Sequence, residues 1–263
     1  MTLGPKEGVC NICGEFGRLT KDHSPPKSCT GASFSEMTRL HSRLASSSSE
    51  ERPRFFRRGP TFRTLCARCN NDLLGANYDP ALASVCKQVR ALAGATLALP
   101  PILQFVVKPQ LVMRSVLGHL SAIGLDRYKK GDMTEPLRSY ILDRDAPLPS
   151  GIAFYYWLYP YPGQVLVRDA GLINFDTHEP TVFWLMKFYP IAFFITFNSD
   201  AAKFDVGHLH QFGRLSSDAE VTIDLRLRPL VHQRWPEAPT DNSAILYGEG
   251  ALAVNPRTKL LPS

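Results

Sequence analysis

Two Cys-x-x-Cys pairs, Cys10/Cys13 and Cys66/Cys69, with 52 residues between them, constrain this chain more than any other feature. A two-residue gap lets one tight turn aim both sulfurs at a single ion, so two such knuckles supply the four thiolates of a tetrahedral zinc site. Gly14 gives the first turn its conformational freedom. Four sulfurs close the shell around the metal, which leaves no open position for catalysis there. The gap between the knuckles is wider than a compact zinc ribbon needs and must carry structure of its own. Cys29 and Cys86 stand alone. Cys86 falls on the stripe Leu82, Val85, Cys86, Val89, Leu92 of a helix expected from Pro80 to Thr96, and reads as a buried thiol. The opening Met-Thr-Leu-Gly-Pro-Lys-Glu lacks the charged-then-apolar layout of a secretion signal. Disulfides are therefore the poorer reading, and the cytoplasm is the expected compartment.

Charge is concentrated around the same cysteines. Residues 1–75 hold 12 Lys and Arg against 7 Asp and Glu, whereas the other 188 hold 18 against 17. Nearly all of the net +6 thus sits in the first third, which favours an anionic partner, nucleic acid first among them. No run of 18 apolar residues occurs; the most apolar stretch, Val182 to Phe197, is broken by Lys187 and Pro190, so no membrane partner is expected. At 44% hydrophobic the chain has enough apolar content to fold rather than stay disordered.

Between the knuckles lies Asp22-His23-Ser24-Pro25-Pro26, where the prolines forbid a helix. On an extended segment Asp22 and His23 point to opposite faces and can do separate jobs. The order Cys-x-x-Cys, Asp-His-x-x-Pro, Cys-x-x-Cys-Asn, carried by Cys10, Cys13, Asp22, His23, Pro26, Cys66, Cys69 and Asn70, resembles the zinc-containing HNH endonucleases. The resemblance covers about 75 residues, and its parts are specific only in combination. It implies a small ββα-metal, treble-clef-like domain that hydrolyses phosphodiester bonds, in DNA before RNA. In that reading His23 is the general base that deprotonates water, a task suited to an imidazole near neutral pH. Asp22 and Asn70 hold a catalytic Mg²⁺ or Mn²⁺ ion, and structural Zn²⁺ fixes the hairpin against the helix. Asn71 and Asp72 leave room for a one-residue shift of the ligand.

Two departures from the family matter. Its middle Asn is replaced by Thr61, so loop support must come from another group, Thr61 or Thr64. The insert, about 27–60, is long; it carries Ser46 to Ser49, which reads as a flexible hinge, then Glu50-Glu51 and the run Arg52-Pro53-Arg54-Phe55-Phe56-Arg57-Arg58. Lys27, Arg54, Arg57, Arg58, Arg63 and Arg68 are the candidate nucleic-acid contacts, Arg63 and Arg68 flanking the second knuckle. Phe55 and Phe56 could stack on an unpaired base; the plainer alternative is that both anchor the insert to the core. His41, on a short helix expected within Glu36 to Leu44, reads as a surface residue.

Residues 77–263 read as a separate α+β domain following the 1–76 nuclease domain. Two helices, Pro80 to Thr96 and Gln110 to Gly124, precede strands over Ile152–Tyr161, Gln164–Ile173, Val182–Tyr189, Ile191–Phe197 and Val221–Leu227, a mainly antiparallel sheet. His208 and His210 could share a strand face, but no third ligand is evident. Tyr155, Tyr156, Trp157, Tyr159 and Tyr161 read as packing residues. Targeting, regulation or a homodimer interface would each suit this part. A different class of function is a non-catalytic zinc-stabilised nucleic-acid-binding module in which Asp22-His23 is vestigial; retention of Asp22, His23 and Asn70 together favours the enzyme.

Overall fold

The computed structural model describes residues 3–31, 34–44, 52–93, 100–125, 131–176, 178, 180–197, 204–227, 232–239, 241–248 and 250–257. The expected Ser46–Ser49 hinge lies outside them. The chain begins with β1 (Glu7–Val9) and β2 (Phe16–His23) around the first knuckle, then β3 (Ser35–Arg39), α1 (Leu40–Leu44), β4 (Arg54–Phe56) and β5 (Thr61–Cys66). A wide, π-helical segment, Arg68–Tyr78, runs directly into α2 (Asp79–Ala93). β6 (Ile102–Val107), α3 (Pro109–Ser121) and α4 (Thr134–Leu142) follow. Then come β7 (Ile152–Leu158), β8 (Gln164–Asn174), β9 (Pro180–Phe188), β10 (Ile191–Phe197), β11 (Gly207–His208), β12 (Val221–Arg226), β13 (Ser243–Leu246) and β14 (Ala251–Pro256).

The class is α+β; among the described residues there are four α-helices, and the strand pairs are antiparallel. β1, β2 and β5 make a small sheet, β6 pairs with β12, and nine strands form the large sheet in the order β11-β7-β10-β9-β8-β14-β3-β4, with β13 on β8. The aromatic runs of β7 and β10 are buried at almost every residue because both faces are covered. Phe154, Tyr156, Phe193 and Ile195 face the helices, whereas Tyr155, Trp157, Ala192 and Phe194 form a second core closed by Leu40, Phe204 and Trp235. Among the described residues no helix is long and apolar enough to cross a membrane.

The expected division into 1–76 and 77–263 is not how the chain packs. Position 76 falls inside the continuous helical rod from Arg68 to Ala93. β3 and β4, from the insert, extend the large sheet beyond β14, with Met37 opposite Val254. Cys10, Leu65, Cys69 and Leu74 share one core with Met113, Phe154 and Leu166. The cause is α3. Its sequence pattern predicts a single apolar stripe, yet every one of its residues is buried, enclosed by the Arg68–Tyr78 segment, α2, α4 and the large sheet. Its polar groups are paired accordingly. Arg114, fully buried, donates to the carbonyls of Tyr140, Asp143 and Ala146 and to Gln110 Oε1, and stacks on the Tyr140 ring.

Gly118 is where α3 meets the rod, and a Cβ there would intrude on the Leu74 side chain, itself fully buried. Gly118→Val should lower the unfolding free energy by about 2 kcal/mol, the scale of overpacking a filled core, read as an earlier urea midpoint. Combined with Leu74→Ala it should cost less than the two single losses together, because the second change removes the obstruction.

Candidate zinc centre and nucleic-acid site

The two knuckles converge. The sulfurs of Cys10, Cys13, Cys66 and Cys69 all lie within 4.8 Å of one another, and Cys13 and Cys66 are 3.8 Å apart. A tetrahedron of ~2.3 Å Zn–S bonds has edges of about 3.8 Å, so the cluster fits Zn²⁺. The first knuckle is a tight turn in which Gly14 N–H donates to Cys10 O, with Gly14 at φ +76°. β5 delivers Cys66, and the rod delivers Cys69. Cys66 N–H donates to Cys10 Sγ at 3.4 Å. A hydrogen bond from the Cys69 thiol pulls the Cys10 thiol down to about 5, whereas burial pushes Cys13 up to about 12. Zinc displaces such shared protons when it binds thiolates. The buried Asn11 side chain ties this knuckle to the end of α3 through Ser121 O and Gly124 O, at 3.0 and 2.9 Å.

β2 carries Asp22 and His23 onto opposite faces, as its alternation dictates, and the inward one meets an unforeseen partner. Asp22 is 1% exposed, with its Oδ2 3.0 Å from His119 Nδ1. The other ring nitrogen, Nε2, lies 2.9 Å from Asp79 Oδ1, which also accepts from Ser115 Oγ at 2.8 Å. Both nitrogens face carboxylate oxygens, so both donate and His119 is an imidazolium. Burial alone would lower its pKa, but the charges of Asp22 and Asp79 and their hydrogen bonds raise it well above 6.5. Burial pushes Asp79 up, yet His119 and Ser115 outweigh it and hold Asp79 below the ordinary carboxylate value. For Asp22 burial wins and the pKa is raised.

His23 ends β2 opposite Thr61 and is half-buried. Burial first, then the nearby charges of Lys27, His119 and Arg58, lower its pKa and favour the neutral imidazole, against the opposing pull of Asp22. Lys27, Arg57, Arg58 and Arg68 are exposed. Arg63 is half-buried, its guanidinium 3.4 Å from Gly4 O. The Arg54 guanidinium lies over the Phe56 ring, 4.7 Å from the centroid, and helps pack the insert down.

The expected cation shell of Asp22 and Asn70 needs correction. The Asn70 amide nitrogen donates to Thr20 Oγ1 at 2.9 Å and to Lys21 O at 3.1 Å, bracing β2 where a bulge shifts its register between Thr20 and Lys21. Support expected from Thr61 or Thr64 therefore comes from Asn70; Thr64 instead donates to Ala122 O. Asp22, sealed against His119, does not offer an open oxygen shell for Mg²⁺ or Mn²⁺, whereas the Asn70 hydrogen bonds use its nitrogen and leave the oxygen, the atom a cation would take, uncommitted. Among the described residues the four cysteines are the one metal-ligating group of three or more. His210 Nδ1 accepts from Phe154 N–H at 3.1 Å, and the His208 and His210 rings lie 5.1 Å apart with no third ligand beside them among the described residues.

Sequence reasoning missed Asp79, Ser115 and His119. Ser115 and His119, one helical turn apart, carried a signal: two polar groups aligned on one face of a helix that also bears an apolar stripe. Comparison of the chain with known protein families, curated proteins and solved structures finds no match.

Elemental analysis should find about one zinc per chain, and Cys66→Ser should lose both the metal and the folded state. His119→Leu, which strands two buried carboxylates, should cost ~3–5 kcal/mol near neutral pH. Because the folded His119 pKa is raised, its contribution is complete below pH 6.5 and is lost as pH rises through the folded value. The stability gap between wild type and His119→Leu should therefore narrow on the alkaline side of neutrality in pH-dependent urea unfolding.

Proposed function

We propose that this protein is a nucleic-acid phosphodiesterase of the HNH type, acting on DNA before RNA. The observation that carries the reading is His23: a neutral, solvent-reachable imidazole at the end of a zinc-braced hairpin, with the cations Lys27 and Arg58 beside it. A neutral imidazole can take the proton of a water that attacks phosphorus, while the flanking cations hold the phosphate and offset the charge that develops on it. The phosphorus–oxygen bond to the leaving group then breaks, and solvent protonates the departing oxygen. Mg²⁺ or Mn²⁺ supplies charge neutralisation in HNH chemistry; the arrangement of Asp22 and Asn70 leaves that role without a formed shell, and no step is assigned to it. Six free thiols suit the reducing cytoplasm, and a homodimer would let two such sites cut both strands.

The sealed Asp22 favours a second reading, a zinc-stabilised module that binds nucleic acid without cutting it. Incubation with supercoiled plasmid, single-stranded DNA and RNA separates the two, with Mg²⁺, with Mn²⁺ and with chelator. The enzymatic reading expects cleavage that falls at least 100-fold, the scale of general-base loss, in a His23→Ala protein that retains zinc. Absence of cutting in every arm, or undiminished cutting by His23→Ala, leaves the binding module.

A further inference from the structure

The insert separates its two adjacent phenylalanines. Phe56 faces inward, 8% exposed beneath the Arg54 guanidinium, whereas Phe55 is 53% exposed on β4, the edge of the large sheet. Its ring lies parallel to that of Phe34, centroids 6.0 Å apart and planes within 4°. Among the described residues neither the core nor another strand covers its outer surface, so the paired rings of Phe34 and Phe55 present an aromatic face to solvent.

What surrounds the ring selects the occupant. Arg52, Arg57 and Arg58 are exposed on either side of it, and residues 52–58 contain no acid. Glu36, directly across the ladder from Phe55, is neutralised by Arg257 at 2.6 Å. The charge of Arg58 reaches the His23 imidazole, and Phe55 stands six residues before Thr61, the ladder partner of His23. Six residues span at most about 20 Å. An aromatic face set among cations, within that reach of a phosphate-directed histidine, matches how proteins hold unpaired nucleotides: cations follow the backbone while bases stack on rings.

We infer that Phe55, supported by Phe34, is a base-stacking platform that makes the substrate class single-stranded nucleic acid, or duplex with an unpaired base beside the scissile phosphate. A fully paired duplex keeps its bases stacked on each other and cannot offer one to Phe55; it meets only the arginines. The inference rests on reading this face as a nucleic-acid site, and it is tested by binding alone, so that it can fail independently of cleavage.

Binding is measured in a His23→Ala background by fluorescence anisotropy. The probes are a labelled single-stranded oligonucleotide, as DNA and as RNA, and its DNA duplex. Phe55→Ala should weaken single-strand binding by about 5- to 150-fold, the range for one stacked base, and leave duplex binding unchanged. Phe55→Trp should restore it. Arg57→Ala/Arg58→Ala should weaken both and reduce the salt dependence. Unchanged melting temperatures confirm folding, as an exposed position permits. The platform is refuted if Phe55→Ala binds single strands as well as its parent does, or loses single and double strands equally. It is equally refuted if Phe55→Ala only abolishes self-association in sedimentation and leaves oligonucleotide binding intact.

Discussion

A helix buried on every side has to find a partner for each polar group it carries, and in this protein that requirement joins the molecule together. α3 brings His119 into the interior, where an imidazolium is tolerable only between opposite charges. Asp22 comes from the small sheet beside the four cysteines and Asp79 from the junction of the helical rod. Thr64 and Asn11 add neutral bonds from the zinc module to the end of the same helix. The four-cysteine cluster and the large sheet thus share a core.

That arrangement sorts the two members of the Asp-His dipeptide. The strand's twofold alternation sends one side chain in and one out, and the interior takes the acid. His23 remains at the surface among cations, with its proton affinity lowered. A basic face therefore surrounds a neutral imidazole, the electrostatic setting in which a phosphate is attracted and a water can be deprotonated. The insert adds the other half of the face, with Phe56 and Arg54 as anchors and Phe55, Arg57 and Arg58 turned outward.

Much of this was legible residue by residue. The cysteine spacing predicts one site, and the sulfurs meet. Strands expected at Gln164–Ile173 and Ile191–Phe197 are strands, and the helix expected from Pro80 is α2, because long apolar runs and a proline-started helix are local signals. β3, β4 and β14 were not legible as sheet, since short strands without a clear alternating pattern owe their form to the distant strands they pair with. The opposite roles of Phe55 and Phe56 depend on the same pairing. Asn70 reads as a cation ligand by position in a motif, and that its amide nitrogen also braces β2 at the bulge was not legible, because the bulge exists only in the pairing with β5.

By itself the sequence determined the metal-binding chemistry, the class of secondary structure, the location of the positive charge and the candidate base, because each rests on residue type and spacing over a few positions. Tertiary structure decided that the N-terminal cysteine module shares its core with the large sheet, that Asp22 faces a histidine 97 residues away, and which aromatic ring reaches solvent. These outcomes depend on contacts between distant segments, and a buried charge takes its meaning only from the groups that enclose it.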